Sequence, residues 1–289
     1  MNKRLIFIAF LIFVFSAGAL AQAPQEKFVT LFGAKVRYLE AGDASKPAVI
    51  LLHGLGGNAD LGWGFNIGAI SAKYHVFAPD QIGFGKSDKP IMNYRVGTYV
   101  DFLDKFMTEL KIEKASLVGN SMGGWISALY AAKYPARVDK LVLVDAAGYA
   151  PAKGFDYRLL QGLAPSTREG VRSMVKLILY NSEMFMSDAA VDSFIAARIA
   201  ANDSFTVMAL LKTIELGEDY FDTQVKGIKQ PTLIVWGKQD GLIPVSEGER
   251  LKKDIAGSEL VVFDKCGHIP QSEKFAEFNA AVMTFLEKK

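Results

Sequence analysis

The chain has little of the chemistry that staples small or metal-dependent proteins: one cysteine, Cys266, and three histidines, His53, His75 and His268, in 289 residues. A single thiol cannot close an intramolecular disulfide, and no zinc-ligand cluster is present, so disulfide frameworks and structural metal sites are excluded. Basic runs are missing too. The 33 Lys and Arg face 31 Asp and Glu, and Lys3 and Arg4 lie in an N-terminal segment, 1–21, that has no acidic residue; removal of that segment leaves 31 of each sign. A neutral chain without clustered cations offers no electrostatic footprint for nucleic acid or for an anionic membrane surface. Repeats and low-complexity tracts are absent as well. What is there is a composition that is 50% hydrophobic and 22% charged, the profile of a globular protein with a substantial core.

Residues 1–21 read as a signal peptide. Met1 to Arg4 is a short positive region, Leu5 to Phe15 is an unbroken apolar run, and Ala19-Leu20-Ala21 has the small-x-small form of a cleavage site before Gln22. The alternative is an uncleaved anchor over 5–21, since a spanning helix needs roughly 17 to 25 residues. Ser16, Gly18 and the alanines weaken the apolar stretch just where a peptidase would cut, so a periplasmic or secreted protein is expected. No cysteine stands near the cut to carry a lipid. A lone cysteine suits an oxidising compartment if it is buried, and Cys266 is expected to be a small core residue.

Along the remaining chain, short apolar runs alternate with longer segments of helical period. This pattern predicts an α/β fold with a largely parallel sheet covered by helices on both faces. Eight strands are expected: 28–32 and 35–39 flanking Gly33 as a hairpin would, then 48–52, 75–78, 115–118, 140–144, 232–236 and 260–263. Helices are expected over 99–110, with Val100, Leu103, Phe106, Met107 and Leu110 on one stripe after a Thr98 cap, and over 122–134 after a glycine-rich turn. The strand pattern lapses between about 150 and 226, where short amphipathic helices rich in Leu, Met, Phe and Ala replace it. So much apolar helix would expose too much surface if it stood alone, and it is expected to be a cap inserted over the C-terminal edge of the sheet. The expected organisation is therefore 1–21 signal peptide, 22–149 and 227–289 core, and 150–226 helical cap.

The central chemical signal is Gly119-Asn120-Ser121-Met122-Gly123 between an expected strand and an expected helix. A GxSxG elbow needs its glycines because the serine sits on a sharp, strained turn where side chains two residues to either side would meet neighbouring backbone. The turn presents the hydroxyl, but a hydroxyl is a poor nucleophile without a base, normally a histidine oriented by a carboxylate. With this elbow the chain order is serine, acid, histidine. Only His268 lies downstream of Ser121. Asp240, just after the 232–236 strand, stands where the acid should leave the sheet; Asp145, at the end of the preceding strand, is the alternative. The tetrahedral intermediate needs two backbone N–H donors. One is expected from Met122, at a helix N-terminus, and the other from the loop His53-Gly54-Leu55-Gly56-Gly57, with Leu55 as the donor and Gly56 as the fallback. His53 is then structural. The same loop is not a dinucleotide fingerprint, because position 59 is alanine where a GxGxxG requires glycine, so no cofactor is expected. Trp63 and Trp125 flank the loop and the elbow, and burial explains both.

With elbow, acid, histidine and oxyanion loop in this order, the chain resembles the α/β-hydrolase superfamily over essentially all of its length after residue 21. Pro79-Asp80-Gln81-Ile82-Gly83-Phe84-Gly85-Lys86-Ser87 is similar to the loop that members carry after their fourth strand, and Trp236-Gly237-Lys238-Gln239-Asp240-Gly241-Leu242-Ile243-Pro244 to their acid loop. The resemblance implies a structural Asp80. Serine at position 121 disfavours the haloalkane dehalogenase and epoxide hydrolase branches, which use aspartate there, and leaves hydrolysis of esters or related acyl groups. Asn120-Ser121-Met122-Gly123-Gly124 and Ala197-Arg198-Ile199 also resemble the carbon-carbon bond hydrolases that cleave ring-fission products of aromatic degradation. In that resemblance Arg198 would match a cap arginine that binds a substrate carboxylate; otherwise it is a solvated arginine paired with Asp192 or Asp203. Those enzymes usually carry tryptophan after the histidine, whereas Ile269-Pro270 follows here, and their substrates arise inside the cell. The expectation is a secreted serine hydrolase acting on a small carboxylic ester. The alternatives are carbon-carbon bond hydrolysis and a non-catalytic binding module on the same fold.

Overall fold

A computed structural model of the protein describes residues 23–153 and 156–288, without the side chains of 158 and 159; the expected signal peptide lies outside the described residues. Eight strands form one sheet: β1 (Gln25–Leu31), β2 (Ala34–Ala41), β3 (Ala48–Leu52), β4 (His75–Pro79), β5 (Ala115–Asn120), β6 (Val138–Val144), β7 (Thr232–Gly237) and β8 (Glu259–Phe263). Their spatial order is β1-β2-β4-β3-β5-β6-β7-β8. β1 pairs antiparallel with β2, and β2 with β4, while the other pairings are parallel. Every strand falls within three residues of where the sequence pattern put it, and Phe32, expected to end the first strand, lies in the turn instead. The hairpin joining the first two turns on Phe32 and Gly33, both at positive φ (51° and 82°), as the twist of a two-residue connection requires.

The middle strands read as continuous apolar runs because both faces of the sheet are covered. Ile50, Leu52, Leu117, Leu141, Leu143, Ile234 and Trp236 point into one core, whereas Val49, Leu51, Val118, Val142, Val144, Leu233 and Val235 point into the other. The short helices α1 (Ala59–Trp63) and α2 (Ile67–Ser71) follow β3, α3 (Val96–Glu109) follows β4, and α4 (Met122–Lys133) follows β5. α3 and α4 pack on the first face. α3 buries Val100, Leu103, Phe106 and Met107 as its periodicity predicts, but it begins earlier than expected. Its N-cap is Arg95 and Thr98 is the third helical residue, reaching back so that its hydroxyl accepts the Arg95 N–H at 3.3 Å. The threonine serves the helix end from inside the first turn, a placement that a capping preference read from sequence does not separate from a true N-cap.

Between β6 and β7 the described residues form helices and no strand. These include α5 (Arg168–Ile178), α6 (Asp188–Ala201) and α7 (Ser204–Glu215). α5 and α6 bury Val171, Met174, Val175 and Val191 in a small core of their own, whereas α7 contributes Val207, Leu210 and Leu211 to the first main core. The remaining helices are α8 (Val245–Asp254) after β7, then α9 (Pro270–Glu273) and α10 (Phe275–Leu286) after β8, with α10 covering the second face alongside α1 and α2. Because β3 to β8 run parallel, the loops that leave their C-terminal ends gather along one edge of the sheet, where the site is built.

Candidate active site

Ser121 occupies the turn between β5 and α4 with φ 54° and ψ −117°, a backbone conformation that a non-glycine residue adopts only when its surroundings enforce it. The enforcement is visible on both sides. The Ser121 N–H donates to the Val144 carbonyl at 2.9 Å, and the Ser121 carbonyl accepts from Trp125 and Ala147. A Cβ on Gly119 would stand 2.2 Å from the Gly123 carbonyl oxygen, and one on Gly123 would stand 2.1 Å from that of Leu52. The glycines of the elbow are therefore steric requirements of its packing on β3 and on itself. Gly123→Ala is expected to destabilise the fold by about 4 kcal/mol or more and to lower the melting temperature by roughly 10 °C. An unchanged melting curve would show that the elbow is not held against β3.

His268 and Asp240 are buried, at 4% and 8% exposure, and joined by a 2.7 Å hydrogen bond in which His268 Nδ1–H donates to Asp240 Oδ2. The other oxygen, Oδ1, accepts the backbone N–H groups of Leu242 at 2.8 Å and Ile243 at 3.0 Å, which fixes the plane of the carboxylate. With Nδ1 protonated, Nε2 is left as the basic nitrogen of the ring. The histidine backbone is held at both ends. Its N–H donates to the Ile178 carbonyl at 2.7 Å, and its carbonyl accepts from Asn120 Nδ2 at 3.1 Å. Ile178 and Leu177 end α5, and their carbonyls, which have no partner within the helix, take the N–H groups of His268 and Gly241. Glu273, in α9, reinforces the same junction. Its carboxylate accepts from Gly267 at 2.9 Å and from Tyr180 at 2.8 Å, and burial raises its pKa. Asn120, Ile178 and Glu273 escaped the sequence reading. Asn120 alone left a trace there, as the residue preceding the elbow serine.

Ser121, Met122, Leu55 and His268 line one cavity of about 570 Å³. The loop bearing Leu55 runs against Ser121, since a Cβ on Gly54 would lie 3.3 Å from Ser121 Cβ. His53 pins that loop from beneath: fully buried, it donates from Nδ1–H to the Gly54 carbonyl at 2.8 Å and accepts the Gln81 N–H on Nε2 at 3.0 Å. Burial lowers its pKa and keeps it neutral, as a structural histidine should be. Asp80 is structural as well, accepting from Ala59, Lys86 and the buried Arg37. Trp63 and Trp125 are both buried, and Trp125 also reaches the cavity wall, stacked on Tyr220.

The structure does not bring Arg198 into the cavity wall. Its guanidinium bonds the buried Asp203, one of the two partners expected for it, and Nη1 donates to the Gly56 carbonyl at 2.8 Å, so it braces the Leu55 loop from the α6 side. Asp192 pairs with Arg168 instead. Asp145 is not the partner of the imidazole: that bond goes to Asp240, while Asp145 Oδ1 accepts the Gly237 N–H at 2.9 Å. Cys266 is buried, and burial pushes its thiol pKa far up, as expected of an inert core residue.

Comparison with known proteins gives a consistent picture. A family profile describing the alpha/beta hydrolase fold matches residues 47–275. The chain is 32% identical over 265 residues to a 2-hydroxy-6-oxo-6-phenylhexa-2,4-dienoate hydrolase of Comamonas testosteroni, across 88% of this chain and 92% of that protein. The structure of a meta-cleavage product hydrolase from Pseudomonas fluorescens superposes with a TM-score of 0.80 at 31% identity, covering 90% of this chain and 97% of the other. That of a bacterial membrane phospholipase A superposes with a TM-score of 0.81 at 28% identity, covering 91% and 86%.

Proposed function

Because the chain belongs to the alpha/beta hydrolase fold family and is a hydrolase, we propose that it cleaves carboxylic esters through an acyl-enzyme intermediate. In this reading Ser121 Oγ attacks the ester carbonyl while His268 Nε2 takes its proton. The N–H groups of Met122 and Leu55 receive the oxyanion, and the imidazolium, steadied by Asp240, returns the proton to the leaving alcohol. Water then enters by the same route and releases the acid. The helices of 150–226 act as the cap that closes the cavity, and the clamp between α5 and the histidine loop ties them to the triad.

The observation that carries the ester reading is the charge of the cavity. Among its described lining residues there is no lysine or arginine, and the one carboxylate is Glu247. A substrate carboxylate would enter without a cation on the described wall to receive it, at a cost that burial magnifies. The rest of the wall is dominated by apolar groups such as Leu55, Leu160, Leu163, Met174, Leu210 and Ile214, which suit an uncharged acyl chain. The second reading, carbon-carbon bond hydrolysis of ring-fission dienoates, is favoured by the relatives at 32–33% identity whose names carry that activity. A panel of p-nitrophenyl esters of increasing chain length, run beside a 2-hydroxy-6-oxodienoate, separates the two. Ester turnover with little or no dienoate cleavage is expected, and efficient cleavage of the dienoate alone would reverse the assignment.

Arg198→Ala gives an independent reading. On the ester hypothesis the arginine braces the Leu55 loop, so kcat is expected to fall by roughly tenfold, the worth of one charged hydrogen bond, with KM little changed. If Arg198 instead captured a substrate carboxylate, KM would rise and kcat would hold.

The protein is further proposed to work outside the cytoplasm after removal of residues 1–21, on the strength of the charged, apolar and small-residue order of that segment. Intact mass of protein from a secreting host should start at Gln22. Retention of residues 1–21 in the membrane fraction would favour the anchor.

A further inference from the structure

Behind the triad lies a second carboxyl group that the proposed mechanism does not use. We propose that Asp145 is a positioning residue whose carboxyl group stays protonated and donates a hydrogen bond to Asp240, so that the Ser121, His268 and Asp240 triad is backed by a neutral second acid. The proposal rests on the catalytic reading of that triad.

Asp145, Asp240 and His268 each offer an atom within 4.8 Å of the others, and all three residues are buried. Asp145 is 0% exposed, at the end of β6, held at φ 42°. Its Oδ1 accepts the Gly237 N–H, but its Oδ2 is buried with no partner so long as both aspartates are only acceptors. Two facing carboxylates in a dry site repel, and one proton shared between them both removes the repulsion and supplies the missing donor. The rest of the geometry decides which residue carries it. Asp240 receives three donors, from His268, Leu242 and Ile243, so both of its oxygens already act as acceptors. Asp145 receives one. The titratable groups around Asp145 are Asp240 on the loop after β7, His268 and Cys266 on the loop after β8, and Glu273 on α9. Burial first, and the charge of Asp240 second, push the Asp145 carboxyl far above the ordinary range, in agreement with the geometry. No proton moves in catalysis by this arrangement. It stays on Asp145, holds Asp240 in the plane that faces Nδ1, and disperses part of its charge.

Asparagine mimics the proposed state, with Oδ1 accepting from Gly237 and Nδ2–H donating to Asp240; alanine removes the donor. Asp145→Ala is expected to lower kcat on a p-nitrophenyl ester by roughly tenfold, and Asp145→Asn to recover most of that loss. The acid limb of the kcat/KM profile should stay in place in Asp145→Asn. Were Asp145 ionised, the same substitution would delete a negative charge beside His268 and move that limb down by about two pH units, as expected for charges about 5 Å apart at an effective dielectric constant near 20. Infrared difference spectroscopy between the wild type and Asp145→Asn at mildly alkaline pH supplies a readout that is independent of turnover. A protonated carboxyl stretch, lost in Asp145→Asn, is expected. Its absence, or a displaced acid limb in the asparagine variant, overturns the proposal. Wild-type labelling by a fluorophosphonate is measured on the same sample. Failure of that labelling rejects the catalytic reading itself, while the infrared band still reports on the proton.

Discussion

Replacement of Ser121 by alanine is expected to abolish ester turnover, with a fall in kcat on the order of 10⁶, the loss seen when a nucleophile is removed from a comparable triad. The size of the effect follows from the division of labour in the site. In the proposed mechanism Asp240, His268 and the N–H groups of Met122 and Leu55 all serve one hydroxyl, and without it they have no group to activate. Alanine keeps the Cβ, and the strained backbone at 121 is held by main-chain bonds to Val144, Trp125 and Ala147, none of which uses the hydroxyl. The variant should therefore fold, retain its melting temperature within a few degrees and still bind ester. Mass spectrometry after fluorophosphonate treatment should show one adduct on the wild type and none on the variant. Residual activity above a hundredth of the wild-type rate would mean that another group attacks the substrate.

Asp240→Asn is the second large effect, expected to lower kcat by about 10⁴, the loss measured for the equivalent change in a serine protease triad. The local hydrogen bonds give the reason. Oδ1 of Asp240 is already occupied by two backbone donors, Leu242 and Ile243, so an asparagine keeps its carbonyl oxygen there and turns its amide NH₂ toward His268. The imidazole must then present an unprotonated Nδ1 and carry its proton on Nε2, where it cannot accept the proton of Ser121. The folded structure should survive, since the shape of the side chain is preserved, and NMR of the ring should report the exchanged tautomer. A loss of less than tenfold would shift the role of acid to Asp145, which the structure currently engages with Gly237.

Much of this site could be read from local sequence because local physics determines it. Both faces of the central strands are covered, so their apolar runs show no gaps, and each was placed within a few residues. The elbow was legible because its glycines stand at fixed offsets from a strained serine, and His268 was legible because the chain offers no other histidine after Ser121. The Asp240 position followed from the same logic: in a parallel sheet, loops leaving the C-terminal ends of neighbouring strands share one edge. Even the helix start expected at Thr98 differs by only three residues, between two positions that each satisfy an unpaired N–H of the helix start.

What local pattern could not supply were contacts between segments far apart in the chain. Arg198 looked like a solvated side chain or a carboxylate receptor. Of the two aspartates expected as its partner, the packing of α6 on the Leu55 loop selects Asp203 and adds the Gly56 carbonyl, 142 residues away, which no local pattern suggested. The hold of Ile178 and Asn120 on the histidine backbone, the Glu273 bridge between Gly267 and Tyr180, and the approach of Asp145 to Asp240 are of the same kind. The sequence by itself determined the strands and the elbow, because steric strain and hydrophobic period act over a few residues. Tertiary structure alone decided which charges are paired, which carboxylate meets His268 Nδ1 and how deeply Asp145 is buried, because those depend on burial and on donors brought together by folding.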